Sequence, residues 1–471
     1  MGQQQISRRA LLFTTPVLLA AQETSTVSSS PEHLRAAIRE ARPGARIRMA
    51  DGIWNDLDLL FEAAGDASAP ITLEAETPGK VVLTGASRLR IAGRHLIVSG
   101  LLFQDGAWDG DVISFRSTST RLAHHCRVTE CAIIDYQPVT EGRDTKWVSV
   151  YGYRNRVDHC YFAGKRHLGQ TLVVWLPATG EPNRHWIDHN HFGPRPPLGV
   201  NGGETLRIGV STTSLQSSQT LVESNLFDRC DGEIETISNK SCENIFRNNV
   251  LDSCQGTLTL RHGNRCLVDG NFFLGRGKSG AGGVRVIGED HCVVNNYFAD
   301  LPGTGYRSAL CVMNGLPDSP LNGYYPVKRA LLAYNLTTNC TQPLLIGAAD
   351  SETLTIAPTD VTVAANLFHG PRAPLVTNHA PSGAVDFHHN HATLIDPLLE
   401  PGADGLREPS ASSPLLKASP FETPEAALDI YGRPRRWPAD IGCFHRTGDI
   451  PTTRTVPTDS NTGPEWKLTP Q

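Results

Sequence analysis

The amino-acid sequence predicts an all-β protein: a single right-handed parallel β-helix with an N-terminal capping helix and an irregular C-terminal wrap. Three features carry that prediction. An Asn or small residue followed by two apolar or aromatic positions recurs at Cys160-Tyr161-Phe162, Asn190-His191-Phe192, Asn225-Leu226-Phe227, Asn249-Val250-Leu251, Asn271-Phe272-Phe273, Asn296-Tyr297-Phe298 and Asn366-Leu367-Phe368, with central intervals of 24, 22 and 25 residues. Short runs alternate apolar and polar side chains, as in Thr257-Leu258-Thr259-Leu260-Arg261 and Gly283-Val284-Arg285-Val286-Ile287, which is the period of a half-buried strand. Long helical stripes are absent. Units this short cannot bury their apolar side chains alone and must stack; a propeller would want blades of about 40 to 45 residues.

The elements follow in chain order. Residues 1–27 read as an export signal: Arg8-Arg9 precede the apolar run Ala10 to Ala21, with cleavage expected soon after Ala20 or Ala21. Ser7-Arg8-Arg9-Ala10-Leu11-Leu12-Phe13 resembles a twin-arginine signal, so a periplasmic or secreted protein is expected. The apolar run is too short to span a bilayer, and no membrane anchor is expected. Residues 28–400 are assigned to the β-helix and its cap. Ser30 is placed to N-cap a helix with Pro31 at its first position, and Leu34, Ala37, Ile38 and Ala41 form a stripe ending before Pro43-Gly44. Such a lid is needed because the first coil of a solenoid exposes core and strand edge. Residues 401–471 lose the repeat, turn Pro-rich and read as a wrap.

The chain has 471 residues and a formal net charge of −5, which excludes a globally basic nucleic-acid binder. Its 11 cysteines contain no C-x-x-C pair, and Cys230, Cys242, Cys254 and Cys266 fall twelve apart; they are expected as small buried residues in stacks rather than as zinc ligands. His189-Asn190-His191 and His388-His389-Asn390-His391 fall at repeat turns and are read as surface or ladder residues.

Strand parity turns the repeat into a functional argument. If Ile234, Leu258, Leu260, Val284 and Val286 point inward, Glu233, Glu235, Thr257, Thr259, Arg261 and Arg285 point outward, with Lys240 nearby. The preceding coil adds Asn201, Glu204 and an outward Arg207. Asn201, Glu204, Glu233 and Glu235 would form an all-oxygen cluster suited to a hard cation such as calcium. A solvated Glu-x-Glu face paired with arginines is the competing reading. Lys165-Arg166-His167 is expected to extend a basic groove toward a polyanionic chain.

Asn201-Gly202-Gly203-Glu204-Thr205-Leu206-Arg207-Ile208-Gly209, Glu233-Ile234-Glu235-Thr236-Ile237-Ser238-Asn239-Lys240-Ser241 and Gly256-Thr257-Leu258-Thr259-Leu260-Arg261-His262-Gly263 resemble the three signature blocks of polysaccharide lyase family six, the alginate lyases and chondroitinase B. The resemblance spans roughly residues 31–347. It implies that Asn201, Glu204, Glu233 and Glu235 bind Ca2+, that Lys240 is the general base and Arg261 the general acid, and that His262 and Arg285 contact substrate. The substrate it implies is an acidic polysaccharide, alginate first, with dermatan or chondroitin sulfate as the alternative. A pectinase-like hydrolase would use paired carboxylates without an essential lysine, and a non-catalytic carbohydrate-binding β-helix would need neither Lys240 nor Arg261.

Overall fold

The structure, a computed structural model, describes residues 25–446 and 451–468. Successive turns of chain visit three parallel sheets in a fixed order, a first of 14 strands that includes Leu221–Glu223, a second of 13 that includes Leu226–Asp228 and a third of 13 that includes Leu206–Ile208, so that each strand pairs with the corresponding strand of the next turn. This is the expected right-handed parallel β-helix. The proposed export signal lies outside the described residues up to its last few positions. Ser25–Ser28 already forms a strand parallel to Arg46–Met49, so the folded unit begins before residue 28.

The cap forms as its sequence demands. A helix runs over Pro31–Glu40, the Ser30 hydroxyl accepts from the His33 N–H at 3.3 Å, and Leu34 and Ile38 are buried on the first coils. Among the described residues no helix is long and apolar enough to cross a membrane.

The repeated triplet has a three-part physical meaning. Its Asn residues form one continuous ladder. The carboxamides of Asn190, Asn225, Asn249, Asn271, Asn296, Asn335 and Asn366 each donate to the Oδ1 of the Asn one coil on, at 2.9–3.0 Å, ending at Asn390. Each also donates to a carbonyl of the preceding coil, as Asn271 does to Phe246 at 2.9 Å. Every Oδ1 in turn accepts a backbone N–H, as Asn271 does from Asn249 at 3.0 Å. The third residue of the triplet points into the solenoid, where Phe192 and Phe227, and Phe273 and Phe298, stack at 4.7 Å. The second points outward, and two adjacent apolar residues on a strand are tolerable only if both faces are covered. The cover is the C-terminal segment: Leu226, Val250, Phe272, Tyr297, Leu336 and Leu367 pack under Leu415, Ile430, Ile441 and Phe444.

The cysteines follow the same logic. All eleven are free thiols and all but Cys292 are buried. Cys230 and Cys254 sit at successive turns, with the Cys230 N–H 3.4 Å from the Cys254 sulfur.

Replacing Asn271 by Ala removes two donors and one acceptor from a buried ladder and orphans their partners; a loss of about 2–3 kcal/mol is expected, read as a lowered denaturant midpoint. Asn390→Ala, at the ladder's half-buried end, should cost clearly less.

Candidate functional site

Apart from Lys165, the candidate residues gather on the outer face of the third sheet, supplied by four consecutive strands, Leu206–Ile208, Glu235–Lys240, Thr257–His262 and Val284–Val286, and by the turns that lead into the first two, which carry Asn201, Glu204 and Glu233. Leu206, Ile237, Leu258 and Val284 are in register and buried inside. The outward column beside them is Arg207, Ser238, Thr259 and Arg285. This corrects one expectation: Ile237, not Ile234, fills the interior position. Ile234 lies ahead of the strand and is 36% exposed. The register slips between Glu235 and Ile237 and again between Asn239 and Lys240. A bulge of this kind re-aims side chains, and here the two slips set Glu235 and Lys240 apart from the in-register segment Ile237–Asn239 that lies between them.

Local chemistry holds the second slip in place. Asn239 takes an interior position between Ile208 and Leu260, where an unpaired amide would be costly. Its carboxamide donates to Ser241 O at 2.8 Å and His262 O at 2.9 Å and accepts from Asn244 at 2.7 Å. The backbone on both sides of the bulge is thereby clamped. Gly209 is required at the adjoining position: its φ is +80°, and a Cβ there would lie 2.5 Å from the Lys240 carbonyl oxygen.

The three carboxylates experience different fields. Glu204, 1% exposed, faces Lys240 Nζ at 3.4 Å and Arg207 at 3.8 Å, and Gln170 donates to its second oxygen. Burial opposes its charge, but Lys240 and Arg207 outweigh that and hold its carboxyl below the ordinary value. Glu233 accepts from the Gly202 and Gly203 N–H groups at 2.6 and 3.0 Å. Burial and its neighbours Glu204 and Glu235 nevertheless push it up to about 7. Glu235 accepts from the Ser238 hydroxyl, and its other oxygen is 3.9 Å from Arg261 Nε. His262, 1% exposed, meets the Ser211 hydroxyl at 3.3 Å. Burial, with Arg261 and Lys240 adding to it, lowers it to about 3, so it is a neutral ring at any working pH.

Arg261 donates to the carbonyls of Gly323 at 2.8 Å and Asn322 at 3.3 Å, and its guanidinium sits 4.2 Å from the Tyr324 ring centroid. Arg285 is 2% exposed and reaches the Tyr324 hydroxyl at 2.6 Å and Asp350 at 2.8 Å. Asn201, Glu233, Glu235, Lys240, Arg261, His262 and Arg285 line one cleft of about 930 Å³. A larger cavity, about 1100 Å³, lies between the second sheet and the C-terminal segment and contains none of these residues.

Lys165 does not join the cleft. It is 1% exposed, and its ammonium donates to the carbonyls of Thr145, His167 and Leu168 at 3.0–3.3 Å. The cation braces a turn, and burial beside Arg195 drives its pKa well below the ordinary lysine value.

Several contributors escaped the sequence reading. Tyr324 and Asp350 lie on loops beyond the signature blocks. Gln170 could have been found, because Leu172 pairs with Leu206 and Gln170 and Glu204 each stand two residues before that pair.

As a cation site, the set of one amide and three carboxylates is chemically suited to a hard ion. Burial, together with repulsion from Glu204 and Glu235, raises the Glu233 carboxyl, and bound positive charge would relieve that repulsion. Among the described residues, no three acidic, His or Cys side chains already converge on one point.

The fold and site are thus a parallel solenoid with carboxylates, an amine and guanidiniums around an open cleft. The family profile described as Chondroitinase B matches residues 27–393, and the chain belongs to that family, polysaccharide lyase family six. Its structure is similar to that of the PL6 family alginate lyase AlyGC, at 42% identity over 83% of this chain, with a TM-score of 0.80. The chain spans 56% of the length of that lyase. It is also similar to a mannuronic acid specific polysaccharide family 6 lyase from human gut microbiota, at 34% identity over 78% of this chain and 86% of that one, with a TM-score of 0.71. Pedsa3628 from Pseudopedobacter saltans, at 23% identity over 94% of this chain and 99% of that one with a TM-score of 0.73, shares the fold. None of the curated proteins compared with the chain matches it.

The raised Glu233 carboxyl has a stability consequence. Between its ordinary value and about 7, the folded chain keeps a proton that the unfolded chain has released, so stability falls as pH rises through that window. In metal-free buffer the thermal midpoint should therefore drop from pH 5 to pH 8 through this group. Glu233→Gln should flatten the slope, and an unchanged slope in that variant would show that the carboxyl is not responsible.

Proposed function

We propose that the chain is a calcium-dependent polysaccharide lyase that cleaves a 4-linked uronate polymer, alginate foremost, by β-elimination. The observation that carries this reading is the placement of Lys240, 3.4 Å from Glu204, in one cleft with Glu233, Glu235 and Arg261. The solved family members described as an alginate lyase and as a mannuronic acid specific lyase support the same substrate class.

Elimination requires removal of the proton on C5, which is barely acidic beside an ionised carboxylate. Asn201, Glu204, Glu233 and Glu235 would hold calcium, and the bound ion would neutralise the substrate carboxylate and make that proton removable. Lys240 is the base in this reading: its amine takes the C5 proton while the C4–O4 bond breaks. It can do so only unprotonated. Arg261 stabilises the departing O4 by charge and hydrogen bonding, since a guanidinium's very high pKa makes it a poor proton donor. His262 offers a neutral imidazole for a substrate hydroxyl. Export from the cytoplasm fits a polymeric substrate too large to be taken up intact.

Incubation with polymannuronate, polyguluronate, mixed alginate and dermatan sulfate, followed by ultraviolet absorbance of the unsaturated product, tests the reading. An alginate polymer should give that signal. A preference for dermatan sulfate would move the substrate to the sulfated polymers, saturated ends would indicate a hydrolase, and binding without turnover would leave a carbohydrate-binding protein. Lys240→Ala should lower turnover by roughly 10²–10⁴-fold without unfolding the chain. EDTA should abolish activity and added calcium restore it; activity that survives metal stripping would remove the ion from the reaction.

A further inference from the structure

Arg261 is held by groups that lie outside its own coil and outside every signature block. Its two terminal nitrogens donate to consecutive carbonyls, Asn322 at 3.3 Å and Gly323 at 2.8 Å, and the Tyr324 ring lies against the guanidinium at 4.2 Å. These three residues belong to the loop between the strands Leu310–Met313 and Leu331–Ala333, two coils beyond Arg261. The loop is pinned twice. The Ser214 hydroxyl donates to Leu321 O at 3.0 Å, and the Tyr324 hydroxyl accepts from Arg285 at 2.6 Å and donates to Asp350 at 3.0 Å. Arg285 also bonds Asp350 directly at 2.8 Å, so tyrosine, arginine and aspartate close a triangle.

Energetically this is a costly arrangement to build for no purpose. A guanidinium has a rigid fork of donors on a long side chain that is otherwise free to sample many rotamers. Two carbonyls and an aromatic face remove that freedom before any substrate arrives. The direction left to Arg261 is toward Glu235, 3.9 Å from its Nε, and the cleft that both residues line.

We propose that Tyr324, anchored by Arg285 and Asp350, is a positioning residue that orients the Arg261 guanidinium for the leaving oxygen. Arg285 then serves chiefly as the anchor of that tyrosine, since Tyr324 and Asp350 engage its guanidinium and it is 2% exposed. The inference rests on the lyase reading for its kinetic meaning and on contacts alone for its structural meaning, so the two fail separately.

The test is a double-mutant cycle in the full chain with Arg261→Ala, Tyr324→Ala and the pair, assayed on alginate. Tyr324→Ala should lower kcat by roughly 10–100-fold, with KM within about threefold of the parent. Tyr324→Phe keeps the ring and loses the anchor, and should fall between. The pair should be no slower than Arg261→Ala alone, because a tyrosine that acts through the arginine has nothing left to position. Losses that multiply in the pair, a change confined to KM, or a kcat near the parent's in Tyr324→Ala would overturn the proposal. Thermal midpoints check that each variant folds, and Asp350→Asn provides a milder variant should Tyr324→Ala unfold. Rotation of the Arg261 guanidinium about Cζ–Nε, measured by NMR, should quicken in Tyr324→Ala and Asp350→Asn. That measurement reads the positioning even if the parent enzyme cleaves none of the polymers, and an unchanged rotation rate would overturn the proposal by itself.

Discussion

Parallel hydrogen bonding between successive coils decides which side chains meet in this protein. Strand neighbours in a sheet lie about 4.8 Å apart, so residues at equal register on adjacent coils touch however far apart they are in sequence. Gln170 and Glu204, each two residues before the pair Leu172 and Leu206, meet in this way through a hydrogen bond. Arg207, Ser238, Thr259 and Arg285 fall in one outward line. The site departs from that lattice at the slips after Glu235 and after Asn239; the second comes just before Lys240, whose amine meets Glu204 of the preceding coil at 3.4 Å.

Charge is distributed across that face so that no two groups have the same surroundings. Glu204 has lysine, arginine and amide partners and stays ionised. Glu233 has only backbone N–H donors to hold its charge, and burial beside two acidic neighbours pushes its carboxyl up to about 7. His262 is kept neutral by burial among cations. Environments that push apart the pKa values of like groups are the usual physical basis for assigning them different tasks.

Much of this was legible in the sequence, for reasons that can be stated residue by residue. The Asn ladder was visible because its partners are the same residue type at a near-constant interval, so periodicity and chemistry coincide. Lys240, Arg261 and the three glutamates were visible because they stand within or beside alternating runs whose parity can be counted. Parity misled at Ile234, where a bulge moved the interior position to Ile237; a one-residue insertion leaves no mark in a polar–apolar alternation. Lys165 misled for another reason. A lysine at a coil end reads as solvent-facing, and only the three carbonyls converging on its ammonium reveal a buried cation. Tyr324 and Asp350 were illegible because a loop's return path onto an earlier coil is set by its folded shape, not by any period.

The C-terminal segment, read from sequence merely as the place where the repeat stops, retraces the solenoid from its last coils toward its first. Phe421 accepts from Tyr334, Arg435 reaches Asn295, Arg454 reaches Asp269, Gly463 bonds His189, and Trp466 bonds the Glu130 carbonyl. A bare stack of repeats melts like a one-dimensional chain, fraying from whichever end is weakest. A strand of backbone stitched across it from rung to rung couples rungs that otherwise never touch. Unravelling one end then means peeling the stitching from the middle as well, which converts a ladder that could unzip coil by coil into a body that must come apart at once.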